Sequence, residues 1–279
     1  MPKTKIITVS PKIAEVWLKN NNPRNRKLIE HVVDKYARDM TNDLWQFTGD
    51  PIQFDTDDNL LNGQHRLSAV IKSNKSQKFL IVEGLEPEAQ DAIDTNAVRS
   101  AGQQLAMHGV SHGPQLASIV RVLLKWNSGA ITGKAAASTG EIINFVNENS
   151  ETLQEALRWY YTIGRSIPLG RSAIGAFVFK LFELAEDESG LTEVEDVLDF
   201  LEKMESGADL HKEHPILALR TAAIRTKAVG QVRTTTKDLY RLCRTWNAYA
   251  SGEQFSKLQG PRDGVITMNH LVLKHMKDN

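Results

Sequence analysis

The sequence predicts an α+β protein: a small N-terminal unit of short strands and helices, then an all-helical C-terminal domain. Two observations predict it. Four short apolar or alternating runs, Ile6 to Val9, Pro51 to Asp55, Leu60-Leu61 and Phe79 to Val82, lie early in the chain with helical segments between them. From Pro114 onward these runs give way to sustained helical periodicity. With 41% apolar residues in 279, the chain has enough material for two buried cores.

The first strand, Ile6 to Val9, meets Ser10-Pro11, which opens a helix through Ala14, Trp17 and Leu18, because proline suits a first helical turn. A second helix from about Lys27 to Thr41 carries Leu28, Ile29, Val32, Val33, Tyr36 and Met40 at helical spacing. Pro51 to Asp55 and Leu60-Leu61 read as the arms of a hairpin around Thr56-Asp57-Asp58-Asn59. Phe79 to Val82 suits a buried strand, and Glu86 to Ile93 a capped helical turn. Further helices are expected over Leu116 to Trp126, Thr139 to Asn147, Leu153 to Ile163, Ser172 to Leu184, Val194 to Met204, Pro215 to Thr226 and Thr235 to Tyr249, several preceded by capping residues. Trp126, Phe145, Trp159, Phe177 and Phe182 recur at helical intervals and belong to the core, while Trp17 and Trp45 read as packing anchors of the first unit.

The most informative stretch runs from Leu60 to Val70, where an apolar strand end meets Asn62-Gly63 and a helix start carrying Gln64, His65 and Arg66. A helix entered through a tight glycine turn presents backbone N–H groups and the positive end of its dipole, which together attract phosphate. Gly63 allows close approach of backbone to ligand, and the Arg66 guanidinium matches two phosphate oxygens. Asn-Gly is equally a common turn dipeptide, and on spacing alone the two readings stand level.

Upstream, Asn22-Pro23-Arg24-Asn25-Arg26 precedes the second helix. The order of this box, a helix, Trp45, a Pro-Ile strand and Asn-Gly-Gln-His-Arg at a strand-turn-helix resembles the ParB/sulfiredoxin superfamily, in particular phage and plasmid members with a Gly-Gln-His-Arg signature. The resemblance spans about Ile6 to Gly109. It implies a nucleotide-binding domain over 1–110, built on a short mixed sheet with helices, followed by a helical domain over 111–279. It further implies ATP or CTP as ligand, with Mg2+. Asn62, Gly63, Gln64, His65 and Arg66 would hold phosphates, with Arg24 or Arg26 reaching in from the first box. His65 is also a candidate acid or base. Gln64 stands where sulfiredoxins need a cysteine and where ParB partition proteins carry an acid, and Cys243 lies far away, which argues against both of those activities.

Asp94 and Arg99 form a third candidate. A carboxylate and a guanidinium five residues apart can serve a metal or nucleophile and a phosphate, or simply pin a loop as an ion pair. In phage Gly-Gln-His-Arg proteins a similar Ile-Asp-x-x-x-x-Arg segment follows at this distance, which implies the site role. The resulting expectation is a nucleotide-dependent hydrolase or phosphotransferase. A DNA-binding or nuclease-like protein of a phage or mobile element is the alternative.

Composition limits these readings. The 34 basic and 34 acidic residues cancel, which disfavours a protein devoted to nonspecific grip on duplex DNA. A basic segment from Arg220 to Arg244 could nevertheless meet nucleic acid, with Tyr240 and Trp246 available for stacking, or serve as one face of a helix bundle. A single cysteine supports neither a disulfide framework nor a zinc cluster, and His211 and His214 lack a nearby third ligand, so no metal ligand set is expected. Gly129 to Ala135 lacks the spacing of a phosphate loop. No apolar stretch suffices to span a bilayer, and a cytoplasmic location is expected.

Overall fold

The structure, a computed structural model, describes residues 1–19, 25, 28–92, 100–129, 131, 137–261 and 264–276. Arg24, Arg26, Asp94 and Arg99 lie outside the described residues. The chain is mixed α+β, with a small four-stranded sheet and eleven α-helices among the described residues. It divides into two compact units, Met1–Ser100 with Lys134–Ile142, and Ala101–Gly133 with Ile143–Asn279. This division departs from a single cut at 110 because the helix just before that point belongs to the second unit and a later segment belongs to the first.

In the first unit the strands are β1 (Lys3–Val9), β2 (Ile52–Asp55), β3 (Leu60–Asn62) and β4 (Gln77–Leu85), in the order β1-β4-β2-β3. β2 runs parallel to β4, and the β1–β4 and β2–β3 pairs are antiparallel. β1 and β4 are longer than their apolar cores suggest, because pairing continues through polar residues and Lys5 meets Glu83 at 2.6 Å. The hairpin turn is organised by Asp55, which is buried. Its Oδ1 accepts the backbone N–H groups of Asp57 and Asn59 at 2.9 and 2.8 Å, and its Oδ2 accepts the Asn59 amide at 3.0 Å.

Helices α1 (Pro11–Lys19), α2 (Glu30–Thr41) and α3 (Gln64–Ser73) complete this unit, with Val9, Val33, Met40, Ile52, Leu67 and Ile81 among its core. Trp17 packs edge-on to Phe54 and Trp45 to Phe79, as the anchor reading expects. The segment 137–142 joins the unit through the start of a further helix. Ser138 Oγ accepts the Glu141 N–H at 3.0 Å while Glu141 Oε2 accepts the Ser138 N–H at 2.6 Å, a reciprocal cap. Ser138 Oγ donates to buried Asp39 of α2, and Arg38 donates to Glu141 at 2.7 Å. Burial pushes Glu141 up, but the Arg38 and Ser138 hydrogen bonds outweigh it and hold the carboxyl below its ordinary value. Burial raises Asp39 above its ordinary value against the Ser138 hydrogen bond.

Beyond α3, the helices are α4 (Ala101–Met107), α5 (Gly113–Asn127), α6 (Thr139–Glu148), α7 (Ser150–Ser166), α8 (Arg171–Ala185), α9 (Val194–Ser206), α10 (Pro215–Ala228) and α11 (Thr235–Ala250). Seven of the eight match expected segments to within a turn; α4 has no periodic apolar stripe and escapes sequence reading. In the second unit α8 is the central helix. Ala173, Ile174, Phe177, Val178, Phe179 and Leu181 are all buried, so it is apolar around most of its circumference and packs against α5, α7, α9 and α11. No helix among the described residues is long and apolar enough to cross a membrane.

Candidate functional site

The α3 turn is built by one glycine. Gly63 follows β3 and adopts φ +112°, ψ 1° as the N-cap of α3, a residue that itself has no side chain to cap the helix. A Cβ at this position would lie 2.4 Å from Ile52 Cδ1, so only glycine lets β3 turn into α3 against the neighbouring strand. The first turn of α3 carries no acidic residue. Its N-terminus therefore has the polarity that favours an anion.

The two sequence boxes meet at this turn. Asn25 Nδ2 donates to the Leu60 carbonyl at 2.6 Å, and the Ile29 N–H donates to His65 Nε2 at 3.0 Å, contacts that span 35 and 36 residues of sequence. Ile29 is the N-cap of α2, so the His65 ring supplies a cap that the Ile29 side chain cannot. With Nε2 accepting that hydrogen bond, the ring is a neutral tautomer protonated at Nδ1. His65 is buried, and its visible role is to join the boxes rather than to present Nε2 to a phosphate or act there as acid or base.

Arg66 also has a job inside the fold. Nη1 donates to the Asp50 carbonyl at 2.6 Å and Nη2 to the Pro51 carbonyl at 2.7 Å, tying the entry of β2 to the first turn of α3. The two-pronged geometry expected for a phosphate is here applied to two carbonyl oxygens. Asn62 Nδ2 donates to Gln53 Oε1 at 3.0 Å across the β2–β3 pair, and Gln64 is buried. The structure thus brings Asn25, Asn62, Gly63, Gln64, His65 and Arg66 together. Asn25 was missed as a site residue, although it sits inside the first box, because its reach to Leu60 depends on the chain crossing back over β3.

The basic segment of the second unit divides differently from its reading in sequence. Arg220 donates to the Glu205 carbonyl at 3.1 Å and also to that of Met204, in the last turn of α9, where a cation complements the helix dipole. Gly207, at φ +68°, is the αL cap of that helix, and a Cβ there would stand 2.9 Å from the Arg220 guanidinium carbon. Arg244 pairs with Glu253, and Arg241 donates to Thr226 Oγ1 at 2.9 Å. Trp246 is fully buried with its indole N–H on the Lys274 carbonyl, and Tyr240 is buried with its hydroxyl on the Gln259 carbonyl. Trp246 is therefore not available for stacking, which corrects that half of the expectation, while the Tyr240 ring lines a cavity of this unit. Among the described residues no group of three or more His, Cys, Asp or Glu side chains is placed to hold a metal ion.

Comparison of the chain with protein-family models, curated proteins and solved structures finds no match in any of the three.

Proposed function

We propose that the first unit is a nucleotide-binding domain of the ParB/sulfiredoxin kind, which holds ATP or CTP with its phosphates at the N-terminus of α3. The observation that carries this reading is the meeting of the two boxes. The Asn25–Leu60 and Ile29–His65 hydrogen bonds flank Arg26 in sequence and join its box to the N-terminus of α3. A helix entered through a glycine in the left-handed region, with no carboxylate in its first turn, suits a phosphate.

In this reading Gly63 shapes the cradle and His65 and Arg66 are positioning residues, one fixing the start of α2 and the other the start of β2. Direct charge neutralisation falls to Arg24, Arg26 and Arg99, and Asp94 is the candidate to orient the attacking group or assist Mg2+. A bound Mg2+ would be held largely by the phosphate oxygens and water, as is usual for this ion, and would neutralise charge on the transferred phosphoryl group. The reaction is hydrolysis or phosphoryl transfer.

The test is binding of ATP and CTP with Mg2+ by isothermal titration calorimetry. Saturable binding in the micromolar to millimolar range is expected, weakened about tenfold or more by Arg24→Ala/Arg26→Ala. Asp94→Asn should lower turnover by about two orders of magnitude with far less effect on binding. Absence of binding for both nucleotides with the folded wild-type chain would remove the proposal.

A further inference from the structure

The second unit contains a half-open cavity of about 250 Å3 bordered by Thr226 of α10, residues 231–233, the first half of α11, and residues 258–261, 264 and 266. Three cations line it: Arg233, Lys237 and Arg241. No carboxylate is among its described lining residues. Asp238, which lies between Lys237 and Arg241 in sequence, is buried. Its Oδ2 accepts the Gly170 N–H at 2.8 Å and its Oδ1 lies 3.7 Å from Arg241 Nη1, so it offsets one of the three charges.

The cations are held in different ways. Arg233 Nη1 donates to the Pro168 carbonyl at 2.6 Å, and Arg241 is steadied by Thr226 Oγ1. Lys237 is exposed, and among the described residues its ammonium has no hydrogen-bond or ion-pair partner. Two guanidinium groups anchored by their own fold therefore stand beside a lysine without a counterion. Val232, Leu258, Pro261 and Ile266 add apolar surface to the lining beside the Tyr240 ring, and Gln231 and Gln259 offer neutral hydrogen-bonding groups.

We propose that this cavity is a binding site for a small phosphate monoester with a flat or apolar body. A residual charge of about two positive units matches the dianion of such a group, and anchored arginines with a mobile lysine form a phosphate-recognising set. The apolar surface takes the organic part. The volume lies just below the ~300 Å3 at which typical ligand clefts begin, which selects a small molecule over a nucleic-acid strand. The proposal is independent of the α3 turn, since none of these residues belongs to the first unit.

The probe is phenyl phosphate, titrated calorimetrically into the full chain, with phenol and benzoate as controls. Saturable binding is expected for phenyl phosphate, at least tenfold weaker binding for benzoate, and none for phenol. Lys237→Gln should weaken binding about tenfold and Lys237→Glu abolish it, while neither variant unfolds below the wild-type temperature, because this exposed side chain supports no described contact and a glutamate three residues after the Thr234 cap favours the helix start. Arg233→Gln provides a second, separate variant with the same expected loss. No saturable binding at millimolar probe, or binding indifferent to Lys237→Glu and Arg233→Gln, overturns the proposal. Tighter, Lys237-dependent binding of a 5′-phosphorylated oligonucleotide than of phenyl phosphate would overturn it also, by reassigning the cavity to strand ends.

Discussion

The α3 turn and the α10–α11 region both look, in sequence, like places where arginines meet phosphate, yet the fold uses their arginines in unequal ways. At the turn Arg66 engages two carbonyls and by doing so ties the entry of β2 to the helix N-terminus beside it. In the second region Arg220, Arg244 and Arg241 each serve a neighbouring carbonyl, carboxylate or hydroxyl, and Arg233, Lys237 and Arg241 line a small cavity. An arginine-rich stretch is not a measure of available charge. A guanidinium has five donors, and an unpaired backbone carbonyl close by competes for them as effectively as a ligand does.

The largest test of this comparison is Gly63→Ala. It should destabilise the protein by about 2 to 5 kcal/mol, from left-handed strain together with overpacking against Ile52. Urea unfolding measures it, and an unchanged midpoint would mean that α3 does not start through this turn. Next come Arg66→Ala and Arg220→Ala, each expected to cost about 1 to 3 kcal/mol, because each strips a charged donor from two carbonyls. If Arg66→Ala abolished nucleotide binding at no cost in stability, Arg66 would be a ligand contact and the contrast between the regions would collapse.

A smaller, pH-dependent effect is expected in the segment 137–142. Glu141→Gln should cost about 1 to 2 kcal/mol at neutral pH through loss of the charged cap and the Arg38 pair. The carboxyl is held below its ordinary value of 4.5, so this stability is fully present above that pH and is lost as pH falls through the depressed folded-state value. The difference between wild type and Glu141→Gln should therefore shrink in acid. Asp39 has the opposite sign. Its folded-state value is raised, so ionisation disfavours the fold as pH climbs past the ordinary value of 3.8, and Asp39→Asn should be neutral or slightly stabilising at pH 7. A loss above about 1 kcal/mol for Asp39→Asn would show that the charge itself holds Ser138. The smallest effect belongs to Lys237→Gln, within about 0.5 kcal/mol in thermal unfolding without ligand.

Much of this architecture was legible before any coordinates. The hairpin and the strand-turn-helix could be read because their signals are local: Asp55 and Asn59 mark the turn, Asn62-Gly63 marks the reversal, and Leu67 and Val70 return at helical spacing. The seven long helices of the later chain followed from periodicity and caps in the same way. What was not legible is where polar side chains end their reach. His65 and Arg66 were read as ligand contacts because sequence gives their chemistry but not the competitor. The Ile29 N–H lies 36 residues from His65, and the carbonyls of Asp50 and Pro51 become neighbours of Arg66 only when β2 pairs with β3.

By itself, then, the sequence determined the α+β class, the order of elements, the glycine turn and the helical character of the later chain, since each depends on residues a few positions apart. Tertiary structure alone decided that α4 belongs to the second unit and that 137–142 belongs to the first. It also decided that Tyr240 and Trp246 face inward and that Arg233, Lys237 and Arg241 line one cavity. The physical reason is common to all of these. Periodicity and capping are short-range properties written into neighbouring residues, whereas the partner of a long polar side chain is chosen by whichever donor or acceptor the folded chain brings within about 3 Å, and that choice has no local signature.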